Sequence, residues 1–268
     1  MLKALDMSRY SHGTSLVHRL DPRTKIILAI LFMTALFLCG SYPALLTLLL
    51  LTFALAKLSG KPFWNSMRGL KPILWLALFT LLINAFFMPG FPLAETGILR
   101  HVSREGLSIS IKMILRLILL VSGASLLTFS TSPLAMTDGL EKLMKPLSRI
   151  GVPVHEIAMM MAIALRFMPV IVEEAEKLIK AQSSRLATFN TGTLWQRATH
   201  HLPLIVPLFV AVTKRGDALA TAMEARCYRG GSGRTRIRPL KFSGADIACG
   251  GAMLVVLIVL MQIEFRPF

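Results

Sequence analysis

Long apolar runs without charged residues alternate with short polar segments along this chain. From Ile26 to Ala56 no Asp, Glu, Lys or Arg occurs, but the middle of the run, residues 40–43 (GSYP), is typical of a turn. Basic residues flank the run on both sides, and flanking Lys and Arg favour the cytoplasm. The pattern therefore predicts a helical hairpin, Thr24–Gly40 and Tyr42–Ser59, with each helix close to the lower limit of about 17 residues for a membrane span.

Three further apolar segments are long enough to cross a membrane: Pro72–Pro89, Gly106–Thr131 and Ile247–Ile263. The segment 57–71 carries basic residues and no acidic one, which favours the cytoplasm, whereas the acidic and basic residues of segment 95–105 balance. We therefore expect five spans, with the N-terminus in the cytoplasm and the C-terminus outside.

Residues 132–242 differ from the apolar runs in their pattern of charge, because charged residues recur every few positions among the apolar ones. Val154–Ser184 is predicted to be a helix broken at Pro169, and a second helical stretch, interrupted by Pro203 and Pro207, continues to about Arg226. Such half-apolar helices suit an interface between lipid, other spans and a protein partner.

These patterns predict an all-α integral membrane protein with about five transmembrane helices and a cytoplasmic-side domain of long amphipathic helices. The expected organisation is an N-terminal transmembrane region of four spans (1–131), a cytoplasmic region (132–242) and a C-terminal transmembrane helix (243–268).

Composition supports the membrane assignment. Hydrophobic residues make up 54% of the 268 residues and charged residues only 16%, against about a quarter in soluble proteins. The net charge of +16 does not favour nucleic-acid binding, because the Lys and Arg residues bracket apolar spans. The three cysteines have neither metal-ligand nor redox spacing, so no disulfide framework is expected.

Several residues leave two interpretations open. Lys112 and Arg116 lie one helical turn apart inside a predicted span, where they either snorkel to the membrane surface or face the interior of the bundle. The methionines 159–161 either fill a core or form a surface that repacks against several partners. The adjacent His200 and His201 diverge by about 100° on a helix, which disfavours a shared metal ion.

No enzyme site is expected. The chain has no GxxxxGK[ST] phosphate loop and no nucleophile, base and orienting group in a convincing arrangement. We predict no catalytic residue, no cofactor and no metal site.

A weak internal repeat links the two predicted amphipathic helices. A shift of 41 residues aligns Glu176 with Asp217 and Arg185 with Arg226, and each copy ends in a small residue followed by arginine. Two similar helix ends are suited to two similar partners, although helical sequences also align by chance.

Three stretches resemble the family of transmembrane components of energy-coupling factor importers. Residues 18–25 (HRLDPRTK) resemble the sequence that precedes that family's first span. Two others resemble its first and second coupling regions: residues 137–185 (TDGLEKLMKPLSRIGVPVHEIAMMMAIALRFMPVIVEEAEKLIKAQSSR) and residues 222–238 (AMEARCYRGGSGRTRIR). The likeness covers nearly the whole chain in order.

The resemblance implies a site at each helix end, where the family pattern is a small residue, arginine and glycine. The matching residues are Ser184, Arg185 and Leu186 in the first copy, and Ala225, Arg226 and Cys227 in the second. Neither glycine is present. Glycine past a helix end permits a left-handed cap with little strain, so we expect these helices to extend further or bend differently.

The resemblance further implies a scaffold in the plasma membrane of a prokaryotic cell. Its implied partners are two related cytoplasmic ATPases, which bind Arg185 and Arg226, and a small membrane subunit that captures a vitamin or metal ion. The alternative for the two arginines is a simple role as helix-capping residues, because a cation favours the dipole of a helix C-terminus.

Two other functional classes remain as alternatives. A stand-alone secondary carrier normally shows ionisable residues inside the membrane and inverted repeats of whole helices, and here only Lys112 and Arg116 qualify. A membrane-embedded enzyme is disfavoured by the absence of paired acidic or histidine motifs at the membrane edge.

Overall fold

A computed structural model describes residues 15–60, 71–87, 103–185, 202–230, 240 and 242–264. All secondary-structure elements within these ranges are helices. The chain divides into two compact units, which are described separately: a bundle unit of residues 8–142 and 239–268, and a helix-pair unit of residues 1–7 and 143–238.

Nine α-helices and one 3₁₀ helix make up the described elements. In chain order they are α1 (Leu16–Arg19), α2 (Pro22–Leu38), α3 (Tyr42–Leu58), α4 (Lys71–Phe87), α5 (Arg104–Ser130), α6 (Pro133–Met144), the 3₁₀ helix (Lys145–Ile150), α7 (Val154–Ser183), α8 (Leu202–Ala225) and α9 (Gly244–Glu264).

The five predicted spans correspond to α2, α3, α4, α5 and α9, and each boundary lies within a few residues of its predicted position. The prediction of an all-α membrane protein is confirmed. By length and composition, three described helices are able to cross a membrane: α5, α7 and α9. α7 belongs to the region predicted to be cytoplasmic, so the number of crossings and the three-part division at 131 and 242 stay predictions.

Local sequence explains where the bundle helices begin. Asp21 is the N-cap of α2, where its carboxylate accepts a hydrogen bond from the amide of Arg23 and Pro22 occupies the first helical position. Ser103 caps α5 by accepting a hydrogen bond from the amide of Gly106 at 3.2 Å. α3 likewise begins with proline in its first turn, directly after the predicted hairpin turn.

α5 is the central helix of the bundle unit, and α2, α3 and α4 all pack against it. Gly123 lets α2 approach closely, because a Cβ at this position would lie only 2.7 Å from the ring of Phe32. α9 packs against α2 and α3, and the apolar core is formed mainly by Leu36, Leu45, Leu48, Leu119 and Leu260.

Polar contacts at the helix ends fix the direction of each helix. At the start of α2, the amide of Asp21 donates to Asp246 Oδ1 in the first turn of α9 (2.8 Å). At the other end, Glu264 in the last turn of α9 accepts hydrogen bonds from the amides of Gly40 and Ser41, which directly follow α2. α9 therefore runs parallel to α2.

Lys25 fixes the direction of α5. Its Nζ, in the first turn of α2, donates to the carbonyl of Ser130 in the last turn of α5 at 2.8 Å, so α5 runs antiparallel to α2. α5 therefore ends, and α9 begins, at the end of the bundle at which α2 begins.

Lys112 and Arg116 contact the turn between α2 and α3. Arg116 Nη2 donates to the carbonyl of Cys39, the C-cap residue of α2, at 2.7 Å, and the Lys112 ammonium lies 4.7 Å from the centre of the Tyr42 ring. A cation is favoured at a helix C-terminus and over an aromatic face. Both charges therefore stabilise the hairpin turn of the bundle.

The outer surfaces of the bundle helices are strongly apolar. Trp75 and Phe79 of α4, Phe37 of α2 and Ile247 of α9 are 78%, 61%, 64% and 75% exposed. Contiguous exposed apolar surface on this scale is unusual for a soluble protein, and it is what a lipid-facing surface requires.

α7 and α8 form the helix-pair unit and correct two predictions. α8 is one helix from Leu202 to Ala225 with Pro207 inside it, although interruptions were expected at Pro203 and Pro207. α7 is one helix from Val154 to Ser183, although a break was expected at Pro169. A proline inside a helix removes one backbone hydrogen bond and bends the axis, while the bonds on either side persist. Pro203 falls in the first turn of α8, where its missing N–H costs nothing.

Candidate functional site

α7 and α8 pack against each other, and an ion pair joins them. Arg215 Nη2 donates to Glu174 Oε2 at 3.0 Å, with side chains that are 42% and 27% exposed. The two residues are 41 positions apart, which is the offset of the internal repeat. Equivalent positions of the two copies therefore contact each other.

α7 ends at Ser183, and Ser184 follows as its C-cap with right-handed backbone angles (φ −66°, ψ −20°). The Ser184 amide and hydroxyl each lie 3.0 Å from the carbonyl of Lys180, to which they donate, and the Arg185 amide donates to the carbonyl of Gln182. Serine at this position thus satisfies a helix-end carbonyl. Leu186 lies outside the described residues.

The end of α8 corrects the expectation that the missing glycine would alter the helix end. Cys227 adopts the left-handed conformation at φ 55°, and the helix ends at Ala225. The Tyr228 amide donates to the carbonyl of Met223 at 3.1 Å, and the Cys227 amide donates to that of Glu224 at 2.8 Å. These two bonds form a Schellman cap, which offsets the strain of a side chain at positive φ.

The side chains of Arg185 and Arg226 are both exposed. Among the described residues, neither guanidinium forms an ion pair, stacks on an aromatic ring or donates to a helix-end carbonyl. A capping arginine is expected to donate to the last carbonyls of its helix. Here backbone amides and the Ser184 hydroxyl donate to the helix-end carbonyls, and within the described residues neither arginine takes part in the caps.

The positions of the arginines follow from the Glu174–Arg215 contact. Arg185 lies 11 residues beyond Glu174, and Arg226 lies 11 residues beyond Arg215. At 1.5 Å per residue, both arginines lie about 16 Å along their helices from the ion pair. The two arginines therefore lie at equivalent distances along their helices from one contact.

Apolar side chains are exposed on both helices of this unit. Met160 and Met161 of α7 are 58% and 42% exposed, which excludes the core-filling interpretation for these two methionines. On α8, Val206 and Phe209 are 66% and 70% exposed, and Leu202 and Ile205 are 55% exposed. Flexible methionine next to exposed aliphatic residues suits contact with lipid or with a variable protein partner.

The Glu174–Arg215 pair was not identified from the sequence. The 41-residue shift aligns Glu174 with Arg215, a residue of opposite charge, and this alignment was the signal that could have predicted the ion pair. His200 and His201 lie outside the described residues. Within the described part of the chain, His, Cys, Asp and Glu form no cluster of three that could hold a metal ion.

Comparisons with known proteins agree with the resemblance. A family described as "Cobalt transport protein" matches residues 13–237. An "Energy-coupling factor transporter transmembrane protein EcfT" of Ruminiclostridium cellulolyticum is 46% identical, covering 99% of this chain and 100% of the relative. Proteins with the same name from Acidaminococcus fermentans and Bacillus subtilis are 45% and 42% identical, over 97% and 99% of this chain and 97% and 98% of their own lengths.

Proposed function

This chain belongs to the family of energy-coupling factor transporter transmembrane proteins, and we propose that it transmits force from two cytoplasmic ATPase subunits to a substrate-binding membrane subunit. Family membership makes it a multi-pass membrane component of a multi-subunit transporter. We propose a separate role for each subunit. The ATPases hydrolyse ATP, and the third subunit captures a vitamin or metal ion for uptake across the plasma membrane. This chain couples the hydrolysis to the uptake.

The observation that carries the proposal is the equivalent placement of two exposed arginines that form no ion pair with another described residue. Arg185 and Arg226 lie 11 residues beyond Glu174 and Arg215, and their guanidinium groups are exposed. A pair of related ATPases offers two similar grooves, which two equivalent arginines match. The planar guanidinium makes forked contacts with carboxylates and backbone carbonyls that lysine does not reproduce.

The exposed apolar surface of α7 and α8 is suited to binding the second proposed partner, the substrate-binding membrane subunit. Phe209, Val206 and Met160 are more than half exposed. A substrate-binding subunit embedded in the membrane would cover such a surface, and methionine allows the surface to adapt to it. When the ATPases displace the helix ends that carry Arg185 and Arg226, the rigid helices α7 and α8 would transmit this movement to the substrate-binding subunit.

The contacts of Lys112 and Arg116 argue against the stand-alone carrier. A carrier needs ionisable groups that face a substrate cavity. Arg116 instead donates to the carbonyl of Cys39 at the end of α2, and Lys112 lies over the Tyr42 ring. Both cations have structural partners in the hairpin turn.

The test is copurification of the ATPase subunits with arginine variants. Arg185→Ala or Arg226→Ala should weaken ATPase retention and ATP-driven uptake, since truncating a charged residue buried at an interface costs about 2–5 kcal/mol. Two sites hold one ATPase pair, so the double variant should lose assembly far more than either single variant. Lysine at either position should rescue poorly.

Lys180→Ala and Arg229→Ala are matched controls, because both remove an exposed cation near the same helix ends. These variants should retain the ATPases and full uptake. If the double alanine variant of Arg185 and Arg226 still binds the ATPases and supports full uptake, the assignment is wrong. ATP-independent transport by the isolated chain would instead establish a carrier.

A further inference from the structure

The 3₁₀ helix Lys145–Ile150 is the most exposed short element of the described chain. All six of its residues are exposed, and Ile150, at 83%, has the highest exposed fraction of any large hydrophobic side chain described. Leu147 is 40% exposed. An isoleucine exposed to this degree leaves nearly its whole apolar surface without a protein contact, and covering that surface would be favourable.

The geometry of a 3₁₀ helix places its apolar residues on one edge. Such a helix has three residues per turn, so side chains at i and i+3 lie above one another. Leu147 and Ile150 have this spacing, and Met144, at the end of α6, continues the same row. The segment ends at Gly151, whose left-handed φ of 89° turns the chain towards the start of α7.

Basic residues flank this apolar edge. Between positions 142 and 155 the chain holds Lys142, Lys145 and Arg149 and no acidic residue. Lys145 and Arg149 are exposed, and none of the three cations forms an ion pair with another described residue. An apolar edge with unpaired cations beside it is complementary to an anionic lipid surface, which offers hydrocarbon and phosphate together.

The segment follows α6 directly along the chain. In α6, Gly139 packs against the start of α2, where a Cβ would lie 3.0 Å from Pro22 Cβ and 3.3 Å from the amide of Arg23. Lys145 follows Gly139 by six positions, which is about 9 Å along a helix.

We propose that residues 145–150 form an interfacial anchor, in which Leu147 and Ile150 insert into the membrane surface while Lys145 and Arg149 bind the phosphates of anionic lipid headgroups. The anchor fixes the start of α7 at the membrane surface. It does not depend on the binding of ATPases at Arg185 and Arg226.

The experiment places an environment-sensitive fluorophore on the anchor of the full chain. Ile150→Cys, in a background with Cys227→Ser and Cys249→Ser and with the buried Cys39 retained, is labelled with nitrobenzoxadiazole. The protein is reconstituted in vesicles of phosphatidylcholine alone or mixed with phosphatidylglycerol. With phosphatidylglycerol, the emission should shift to shorter wavelength and be quenched by lipids that carry a nitroxide near the headgroup.

Charge variants test the phosphate contacts. Lys145→Gln with Arg149→Gln should lower the ratio of inserted to water-exposed probe about 25-fold, at about fivefold for each basic residue near an anionic surface. Lys177→Gln with Lys214→Gln removes two exposed charges elsewhere in the same unit and should leave the ratio unchanged. A probe at Glu173→Cys, on the exposed face of α7, should remain in water.

Three results would overturn the proposal. The first is water-exposed emission from position 150 in both kinds of vesicle. The second is an equal loss of insertion in the Lys177 and Lys214 control. The third is a spectral shift that occurs only when the ATPase subunits are added, which would make the segment a protein-docking surface instead.

Discussion

Asp246, in the first turn of α9, joins α9 to the start of α2 with one carboxylate oxygen and bonds to the residue before its own helix with the other. Oδ1 accepts a hydrogen bond from the amide of Asp21, and Oδ2 accepts one from the amide of Ser243, each at 2.8 Å. The residue is only 3% exposed. The contact joins segments 225 residues apart and brings the last described helix back to the end of the bundle at which the first predicted span begins.

Replacing Asp246 should destabilise the bundle. Asp246→Ala leaves two amides without their acceptor, and each buried unsatisfied donor costs about 1–3 kcal/mol. The apparent midpoint of thermal unfolding in detergent should fall clearly. Asp246→Asn keeps one carbonyl acceptor, so its midpoint should lie between those of the unsubstituted protein and Asp246→Ala. Ala245→Ser, at the exposed neighbouring position, is the control. An unchanged midpoint for Asp246→Ala would show that the contact contributes nothing.

Arg116 should matter for the hairpin turn and not for substrate binding. Arg116→Met keeps an unbranched apolar stem but removes the guanidinium that donates to the carbonyl of Cys39, at a cost of about 1.5–3 kcal/mol for a charged hydrogen bond. We expect a lower unfolding midpoint in detergent and, in the assembled transporter, an unchanged substrate affinity. A change in substrate affinity without a loss of stability would favour the carrier function.

The ion pair between Glu174 and Arg215 should contribute little to stability, because both side chains are partly exposed. A double-mutant cycle with alanine is expected to give a coupling energy of about 0.2–1 kcal/mol. The charge reversal Glu174→Arg with Arg215→Glu should restore the uptake that either single reversal reduces. Lys177→Ala is the control, since its ammonium lies 4.0 Å from Glu174 and its side chain is 71% exposed. Failure of the double reversal to restore uptake would count against a functional role for the pair.

Cys227→Gly should stabilise the end of α8 by about 1 kcal/mol, because glycine adopts positive φ without the steric cost of a Cβ. Cys227→Ser, which removes the thiol but keeps a Cβ, should have no such effect. Gly151→Ala makes the opposite change at φ 89° and should destabilise the turn before α7. The measurement is thermal unfolding of the full chain; equal behaviour of the glycine and serine variants would contradict the strain argument.

Reporter fusions test the topology. The antiparallel order of α2 and α5 and the parallel order of α2 and α9 require residues 131–243 to begin and end on one side of the membrane. Fusions after Lys61, Arg149 and Ser232 should report the cytoplasm, and fusions after Arg100 and Phe268 the outside. A cytoplasmic report at Phe268, or an external one at Ser232, would contradict five spans.

Much of the architecture was predictable, because apolar length and turn residues act locally. The hairpin turn at residues 40–43 and the starts of α3 and α5 lie where the sequence placed them. Pro169 shows the limit of such rules. A single lost backbone bond does not end a 30-residue helix whose other bonds persist.

By itself, the sequence determined the helices, their approximate ends and, through the family resemblance, the two arginines at the ends of α7 and α8. Only the tertiary structure decided which helix faces meet. In a membrane protein, lipid-facing and core-facing side chains are equally apolar, so hydrophobicity does not reveal the packed face. Three contacts join atoms that only the fold brings together: Asp21 with Asp246, Arg116 with Cys39, and Glu174 with Arg215. The left-handed conformation of Cys227 likewise depends on the backbone geometry at the end of α8.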